Sequence, residues 1–137
     1  MIVLDTNYLI RTLVAGSDEA ASVRAWVLAG RELCTSAVAW YEFLCGPVDQ
    51  LGLELIRSLI NDRVVPFTQA QGLEAARLFN AVGRARTLRV DAMLASCAIT
   101  LGASFATGNI EHFLAFKPFG LRLISGPDRR AVPPSIR

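Results

Sequence analysis

Short apolar runs alternate along the chain with longer segments in which apolar and polar positions repeat at helical spacing. The apolar runs predict strands at residues 2–4, 32–35, 64–67, 103–107 and 121–125. The longer segments predict helices, with their capping and terminating residues, at about 6–15, 17–30, 36–44, 48–60, 68–82 and 91–101, and a short helical turn around Phe113. Strands that alternate with helices pack as an α/β/α sandwich on a mostly parallel sheet, so we predict that three-layer fold.

Composition agrees with one well-packed domain. The chain has 137 residues, of which 53% are hydrophobic and 19% charged, and this balance excludes a disordered tail or a solvating acidic module. We predict a domain over residues 1–125. Residues 126–137 contain three prolines and two adjacent arginines and are predicted to form a mobile tail. The charge-free stretch 92–110 is divided by Gly102, which favours a buried helix followed by a strand over a membrane span.

Charge and cysteine content narrow the function classes only slightly. The formal net charge is +2, so no global basic field indicates a nucleic-acid partner. The three cysteines (Cys34, Cys45 and Cys97) have apolar neighbours and no CxxC spacing, and we interpret them as small buried residues in a reducing compartment. A zinc site is not expected, because the sequence contains a single histidine, His112. The first residues lack the pattern of a secretory signal, so we expect a cytoplasmic protein.

Three acidic residues occupy positions where an unpaired charge is costly. Asp5 directly follows the first apolar run, and Asp91 opens the most apolar helix. Glu42 lies in the middle of a predicted helix whose positions one turn away are apolar or small. Each has a simpler interpretation: Asp5 and Asp91 are good helix caps, and Glu42 could pair with a buried arginine.

Considered together, the three acids suggest a cation site. Carboxylates about 5 Å apart would repel by roughly 3 kcal/mol per pair at an effective dielectric constant of 20. Such a cluster either holds protons, with raised pKa values, or binds a cation. Oxygen ligands without nearby sulfur or imidazole favour a hard divalent ion, Mg²⁺ or Mn²⁺.

Four ordered motifs resemble those of a known family. They are MIVLDTNYLI at residues 1–10, TSAVAWYEFLCG at 35–46, DAMLA at 91–95 and FATGNIEHF at 105–113. In this order and at these intervals they resemble the motifs of PIN-domain ribonucleases, and within that family the chain is similar to the VapC-like toxins of bacterial toxin–antitoxin pairs. The resemblance covers about residues 1–125.

The resemblance implies an endoribonuclease toxin that inhibits translation, uses Mg²⁺ or Mn²⁺, and leaves 5′-phosphate and 3′-hydroxyl ends. Asp5, Glu42 and Asp91 match the family's three core acids, which hold the metal. Asn109 falls where many members have a fourth acid, so the number of metal ions in the site, one or two, is left open. Asn109 is also a good helix N-cap. The polar positions that orient the metal, water or acids are matched by Asn7 and Thr107. Glu111 and His112 lie in the same motif as Asn109 and are interpreted as surface residues.

Positive charge near the acids would offset the repulsion of RNA phosphates. Arg84, Arg86 and Arg89 lie in a basic segment, predicted as a loop, just before Asp91, and they are our candidates for phosphate contacts. The alternative is an ordinary solvated loop. The tail arginines are weaker candidates: Arg129, Arg130 and Arg137.

The resemblance further implies protein partners. One is an antitoxin whose peptide fills the acidic groove and whose arginine would neutralise the carboxylates. The other is a second copy of the chain, giving a homodimer within a toxin–antitoxin hetero-oligomer. The surplus of apolar residues, including Trp26, Trp40 and Phe43, is the only support for a dimer in the residues themselves, and these side chains could equally belong to the core.

Three other classes compete with this interpretation. Phosphoaspartyl phosphatases require a second carboxylate two residues after the first, where this chain has Asn7. Receiver domains require an early acidic pair and a lysine late in the sheet, whereas Lys117 lies outside any apolar strand. The last alternative keeps the PIN-like fold but makes it a catalytically weak module that binds RNA or protein; the three intact acids argue against this and Asn109 leaves it open.

Overall fold

Five parallel strands form the centre of the molecule. The computed structural model describes residues 1–126, so the predicted tail and its arginines lie outside the described residues. The strands are β1 (Ile2–Leu4), β2 (Leu33–Ser36), β3 (Val64–Val65), β4 (Ser104–Ala106) and β5 (Arg122–Leu123), in the order β3-β2-β1-β4-β5. Every neighbouring pair is parallel, with Ile2 in register with Leu33 on one side and Ser104 on the other. The predicted mostly parallel sheet is therefore confirmed.

Within residues 1–126, seven α-helices connect and cover the strands. They are α1 (Thr6–Thr12), α2 (Asp18–Leu28), α3 (Ala37–Leu44), α4 (Gln50–Leu59), α5 (Gln69–Ala81), α6 (Arg89–Leu101) and α7 (Ile110–Phe113). Turns of 3₁₀ helix lie at Arg86–Leu88 and Leu114–Phe119. Within the described residues, none of the helices is long and apolar enough to cross a membrane.

Successive residues of the central strands contribute to two separate cores. Val3 packs into a cluster with residues of α5 and α6, whereas its neighbours Ile2 and Leu4 pack into a second cluster with residues of α1, α2 and α4. This alternation follows from the pleat of a strand, which sends successive side chains to opposite faces of the sheet. The sheet is thus buried on both faces, and the three-layer α/β/α sandwich is confirmed.

Several predicted element boundaries are wrong by a few residues, each for a local reason. Helix α1 ends at Thr12 rather than residue 15, and the turn that follows uses a positive φ at Gly16. Helix α4 begins at Gln50 rather than at residue 48 because Asp49 is its cap: the Asp49 carboxylate accepts a hydrogen bond of 2.7 Å from the Gly52 amide. Strand β3 is only two residues long and ends before Pro66, which cannot donate to a ladder.

The prediction that all three cysteines are buried is wrong for one of them. Cys34 on β2 and Cys97 on α6 are buried, and burial raises the pKa of Cys34 to about 11 and that of Cys97 to about 12. Cys45 caps the C-terminus of α3 and is exposed. It follows the buried Phe43 by two positions, about 200° around a helix, and therefore faces away from the core.

Candidate active site

The carboxyl ends of β1 and β4 open into a cleft of about 290 Å³. Adjacent parallel strands end at the same edge of a sheet, which is where ligands bind in folds of this class. Helices α1, α3 and α6 supply the remaining walls. The lining residues are Asp5, Thr6, Asn7, Ile10, Glu42, Val90, Asp91, Leu94 and Asn109. The structure therefore places the three acids singled out in the sequence on the wall of one cleft, together with Asn7 and Asn109.

Asp5 is the most deeply placed of the three acids. It follows β1 directly and is 4% exposed. One carboxylate oxygen, Oδ1, accepts a hydrogen bond of 2.7 Å from the Thr6 amide, so Asp5 does cap α1. The other oxygen, Oδ2, accepts a hydrogen bond of 2.7 Å from the Thr107 hydroxyl. The pKa of Asp5 is nevertheless raised to about 6, mainly by burial; the two hydrogen bonds oppose the rise, and the nearby charges of Asp91 and Glu42 add to it.

Asp91 lies in the first turn of α6 and is not its cap. The helix begins at Arg89, two residues earlier than predicted, and has no side-chain cap. The Oδ2 atom of Asp91 is buried without a hydrogen-bond partner. The imidazole Nδ1 of His112 lies 3.5 Å from it, which is too long for a good hydrogen bond. Burial raises the pKa of Asp91, and the neighbouring His112 only partly offsets this.

Glu42 differs from the expectation of a buried, costly charge. It lines the cleft but is exposed to solvent, and within residues 1–126 no arginine forms an ion pair with it. The Thr6 hydroxyl donates a hydrogen bond of 3.3 Å to Glu42 Oε1. The apolar neighbours one turn away misled the prediction because α3 is packed mainly through Ala39 and Phe43.

A short hydrogen-bonded loop ties the remaining polar residues to Asp5. The Thr107 hydroxyl, which donates to Asp5, also accepts a hydrogen bond of 3.0 Å from the Asn109 amide. The Gly108 amide donates a hydrogen bond of 3.0 Å to Asn7 Oδ1. The side chain of Asn109 makes no capping bond to α7, so the simple interpretation as an N-cap fails. Its exposed amide group instead lines the cleft.

His112, which the sequence analysis interprets as a surface residue, also lies next to the site. Its side chain is 60% exposed, as expected, but its ring also approaches Asp91. Glu111 is exposed and does not line the cleft. The contact joins α7 to the start of α6, and a separation of 21 positions along the chain gives no local signal for it.

Comparison with known proteins identifies the family. The sequence model of the PIN domain matches residues 2–115, which is most of the chain. The chain belongs to the PIN domain family. No curated protein sequence matches it significantly.

Solved structures with the same fold include several complexes. The crystal structure of FitAcB from Neisseria gonorrhoeae superposes with a TM-score of 0.66 at 19% identity, covering 91% of this chain and 97% of that one. VapBC2 from Rickettsia felis, bound to a DNA fragment from its promoter, gives a TM-score of 0.67 at 20% identity, with 90% and 98% covered. VapBC-1 from nontypeable Haemophilus influenzae gives 0.61 at 19% identity, with 91% and 98% covered. At these identities the likeness shows the PIN fold itself.

The predicted RNA-contacting arginines lie beside this PIN-domain cleft and do not line it. Two of them are held by α5: Arg84 donates a hydrogen bond of 2.8 Å to Asn80 Oδ1, and the Arg89 guanidinium lies 5.4 Å from the centre of the Phe79 ring. Arg86 opens the 3₁₀ turn that replaces part of the predicted loop. All three side chains are exposed.

The donor atoms of the cleft fit a hard cation without forming a complete cage. Carboxylate, amide and hydroxyl oxygens line it, and the buried Asp91 Oδ2 lacks any hydrogen-bond donor. As they stand, no three His, Cys, Asp or Glu side chains among residues 1–126 form a ready set of metal ligands. This pattern suits Mg²⁺, which proteins usually bind through one or two carboxylates while water and phosphate oxygens supply the other ligands.

The raised pKa of Asp5 predicts that Asp5→Asn stabilises the metal-free protein. Between the ordinary pKa of 3.8 and the folded value of about 6, the folded state binds more protons than the unfolded state, so the free energy of unfolding falls as pH rises. Above about pH 6 the cost to the wild type reaches roughly 3 kcal/mol. We expect Asp5→Asn to recover about 1–3 kcal/mol at pH 7 and nothing below pH 4, measured by urea unfolding in the presence of a chelator.

The matched control is Asp18→Asn, which alters an exposed acid in the first turn of α2. It should lower stability by about 0.5 kcal/mol through the helix dipole. An Asp5→Asn protein that is less stable than the wild type at pH 7 without metal would contradict the assignment of a strained carboxylate.

Proposed function

We propose that this PIN-domain protein is a Mg²⁺- or Mn²⁺-dependent endoribonuclease and the toxin of a toxin–antitoxin pair, which inhibits translation by cutting RNA. The observation that carries the proposal is the single cleft lined by Asp5, Glu42 and Asp91 on a PIN fold. Among its structural neighbours are toxin–antitoxin complexes, one of them from Klebsiella pneumoniae, and this supports the assignment to that class.

The residues of the cleft have distinct roles in the proposed reaction. Asp5 and Asp91 would hold the cation, with Thr107 and the Thr6 amide fixing the orientation of the Asp5 carboxylate. Glu42, on the exposed wall, completes the anionic set. A bound Mg²⁺ or Mn²⁺ supplies Lewis acidity toward the scissile phosphate and lowers the pKa of a coordinated water. Hydrolysis in which water attacks phosphorus in line and the P–O3′ bond breaks, with a proton passing to the 3′ oxygen, would leave a 5′-phosphate and a 3′-hydroxyl.

Asn109 lowers the negative charge of the cleft, and Asn7 holds the loop that carries Asn109. An amide at 109 removes one negative charge relative to a fourth acid and adds an N–H donor that can bond a phosphate oxygen. Asn7 fixes the 107–109 loop through its bond to the Gly108 amide. We expect this set to favour one metal ion per site, with the substrate phosphate as a further ligand.

Positive charge for the RNA backbone comes from the segment that precedes Asp91. Arg89 is the first residue of α6, Arg86 opens the 3₁₀ turn just before it, and Arg84 lies two residues before Arg86; all three are exposed. The contact with Phe79 limits the rotamers of Arg89. These three guanidinium groups are proposed to bind phosphates that flank the cut and so to offset the repulsion of the carboxylates.

An antitoxin and a second copy of the chain are the proposed protein partners. Beside the acidic cleft lies an apolar groove of about 160 Å³, lined by Ile10, Leu13, Phe43, Gly46, Pro47 and Val48, and Ile10 belongs to both. A peptide in the groove would extend naturally into the cleft, where an arginine could neutralise the carboxylates. The case for a dimer no longer rests on Trp26 and Phe43, since both are fully buried in the core.

A second candidate function is a catalytically weak PIN module that binds RNA or protein. The observations that favour it are Asn109 in place of an acid and the incomplete ligand set of the cleft. A cleavage assay separates the two functions directly.

Replacing Asp91 tests the catalytic proposal. Asp91→Asn removes the carboxylate whose buried Oδ2 has no donor, so we expect cleavage of total cellular RNA with Mg²⁺ to fall by roughly 10²-fold or more. End-labelling of the products should reveal 5′-phosphates. The control Glu111→Gln changes an exposed acid outside the cleft and should retain activity. Undiminished cleavage by a folded Asp91→Asn protein would remove Asp91 from the catalytic site, whereas RNA binding without cleavage by the wild type would favour the binding-module alternative.

Replacing the three arginines tests the phosphate contacts. The triple change Arg84→Ala, Arg86→Ala and Arg89→Ala should weaken RNA binding at low salt and flatten its dependence on salt by about one unit of slope per lost contact. Arg24→Ala, which removes an exposed arginine of α2, should leave the slope unchanged. A triple variant with the wild-type slope would exclude these residues from the interface.

A further inference from the structure

Part of the wall of the acidic cleft is apolar. Ile10 on α1 and Val90 on α6 line it beside the carboxylates, and their side chains remain 45% and 46% exposed. Leu94, one turn after Val90, is 4% exposed and continues this surface inward. Single exposed aliphatic residues are ordinary on protein surfaces. Here two of them, from different helices, face the same cleft as three acids, so they offer one apolar surface to whatever binds there.

Only one part of an RNA chain matches such a surface. The phosphates carry charge and are matched by cations, and the ribose carries hydroxyl groups. The face of a nucleobase is flat and largely apolar, and proteins that bind unstacked bases hold them between aromatic or aliphatic side chains. Val90 lines the cleft together with Asp91, a proposed metal ligand, so a base held at Val90 belongs to a nucleotide beside the scissile bond.

We propose that Ile10 and Val90 form an apolar clamp on the face of the nucleobase next to the cleaved phosphodiester. The inference rests on the proposed ribonuclease function and adds specificity-determining residues to it. The clamp requires a base that is unstacked from its neighbours, because stacked bases in a duplex present only their edges. Leu94 supports the clamp from below without contacting solvent.

Val90 separates this proposal from the competing occupant of the same surface. Ile10 also lines the apolar groove proposed for an antitoxin, whereas Val90 lines only the cleft. Loss of the Val90 side chain should therefore alter the cleft and leave the lining of the groove intact. Val27 on α2 is a matched control, since it is 42% exposed, equally helical and outside both surfaces.

The test measures fluorescence anisotropy with an unstructured, labelled RNA of about 12 nucleotides, a length that one groove can span. Ca²⁺ is present to limit cleavage. The second probe is an abasic ribose-phosphate chain of the same length, which keeps the phosphates and lacks the bases. Val90→Ala should weaken binding of the RNA by about tenfold, since small losses of apolar contact have effects of this size, and should leave binding of the abasic chain unchanged. Val27→Ala should bind both probes as the wild type does.

Each other outcome contradicts the proposal. Equal weakening of both probes by Val90→Ala would indicate a phosphate or folding effect, and unchanged binding of both would remove Val90 from the RNA site. If Val90→Ala weakened only the binding of the cognate antitoxin, the surface would be a protein-docking site. Failure of the wild type to bind RNA at all would overturn the proposed ribonuclease function together with the clamp, whereas the other outcomes leave that function standing.

Discussion

The burial of one carboxylate, Asp5, is the constraint on which the site depends. Its position is fixed from three directions: β1 delivers it to the sheet edge, the Thr6 amide holds one oxygen, and the Thr107 hydroxyl holds the other. These bonds orient the carboxylate but do not compensate for its loss of water, and its pKa therefore rises to about 6. A cation bound in the cleft would offset the charge that Asp5 and Asp91 place there, which is why the proposed metal site depends on Asp5.

The sequence predicted the fold well because its strands are short, apolar and separated by clear helix caps. Asp5 and Asp91 could be singled out because each follows or opens a strongly apolar segment. The exposure of Glu42 and Cys45 could not be predicted, since which face of the short helix α3 is buried depends on how it packs between two cores. The approach of His112 to Asp91 joins distant segments and has no local signature.

The cleft combines features that one function would require together. Its carboxylates suit a cation, the exposed arginines beside it suit phosphates, and Ile10 and Val90 suit a base. The absence of a complete ligand cage within residues 1–126 is consistent with substrate completing the metal's coordination. Chemistry would then begin only when RNA is bound, and the same carboxylates would be available to a basic side chain of an inhibitor at other times.

The binding of Mn²⁺ to the purified chain, free of any partner, tests the central claim most directly. Calorimetry in buffers of different ionisation enthalpy should show Mn²⁺ uptake by the wild type, with release of protons near pH 6 because Asp5 must ionise to bind, and little release near pH 8. Asp5→Asn should bind more weakly and lose the proton release. No Mn²⁺ uptake at either pH, or uptake unaffected by Asp5→Asn, would contradict the account.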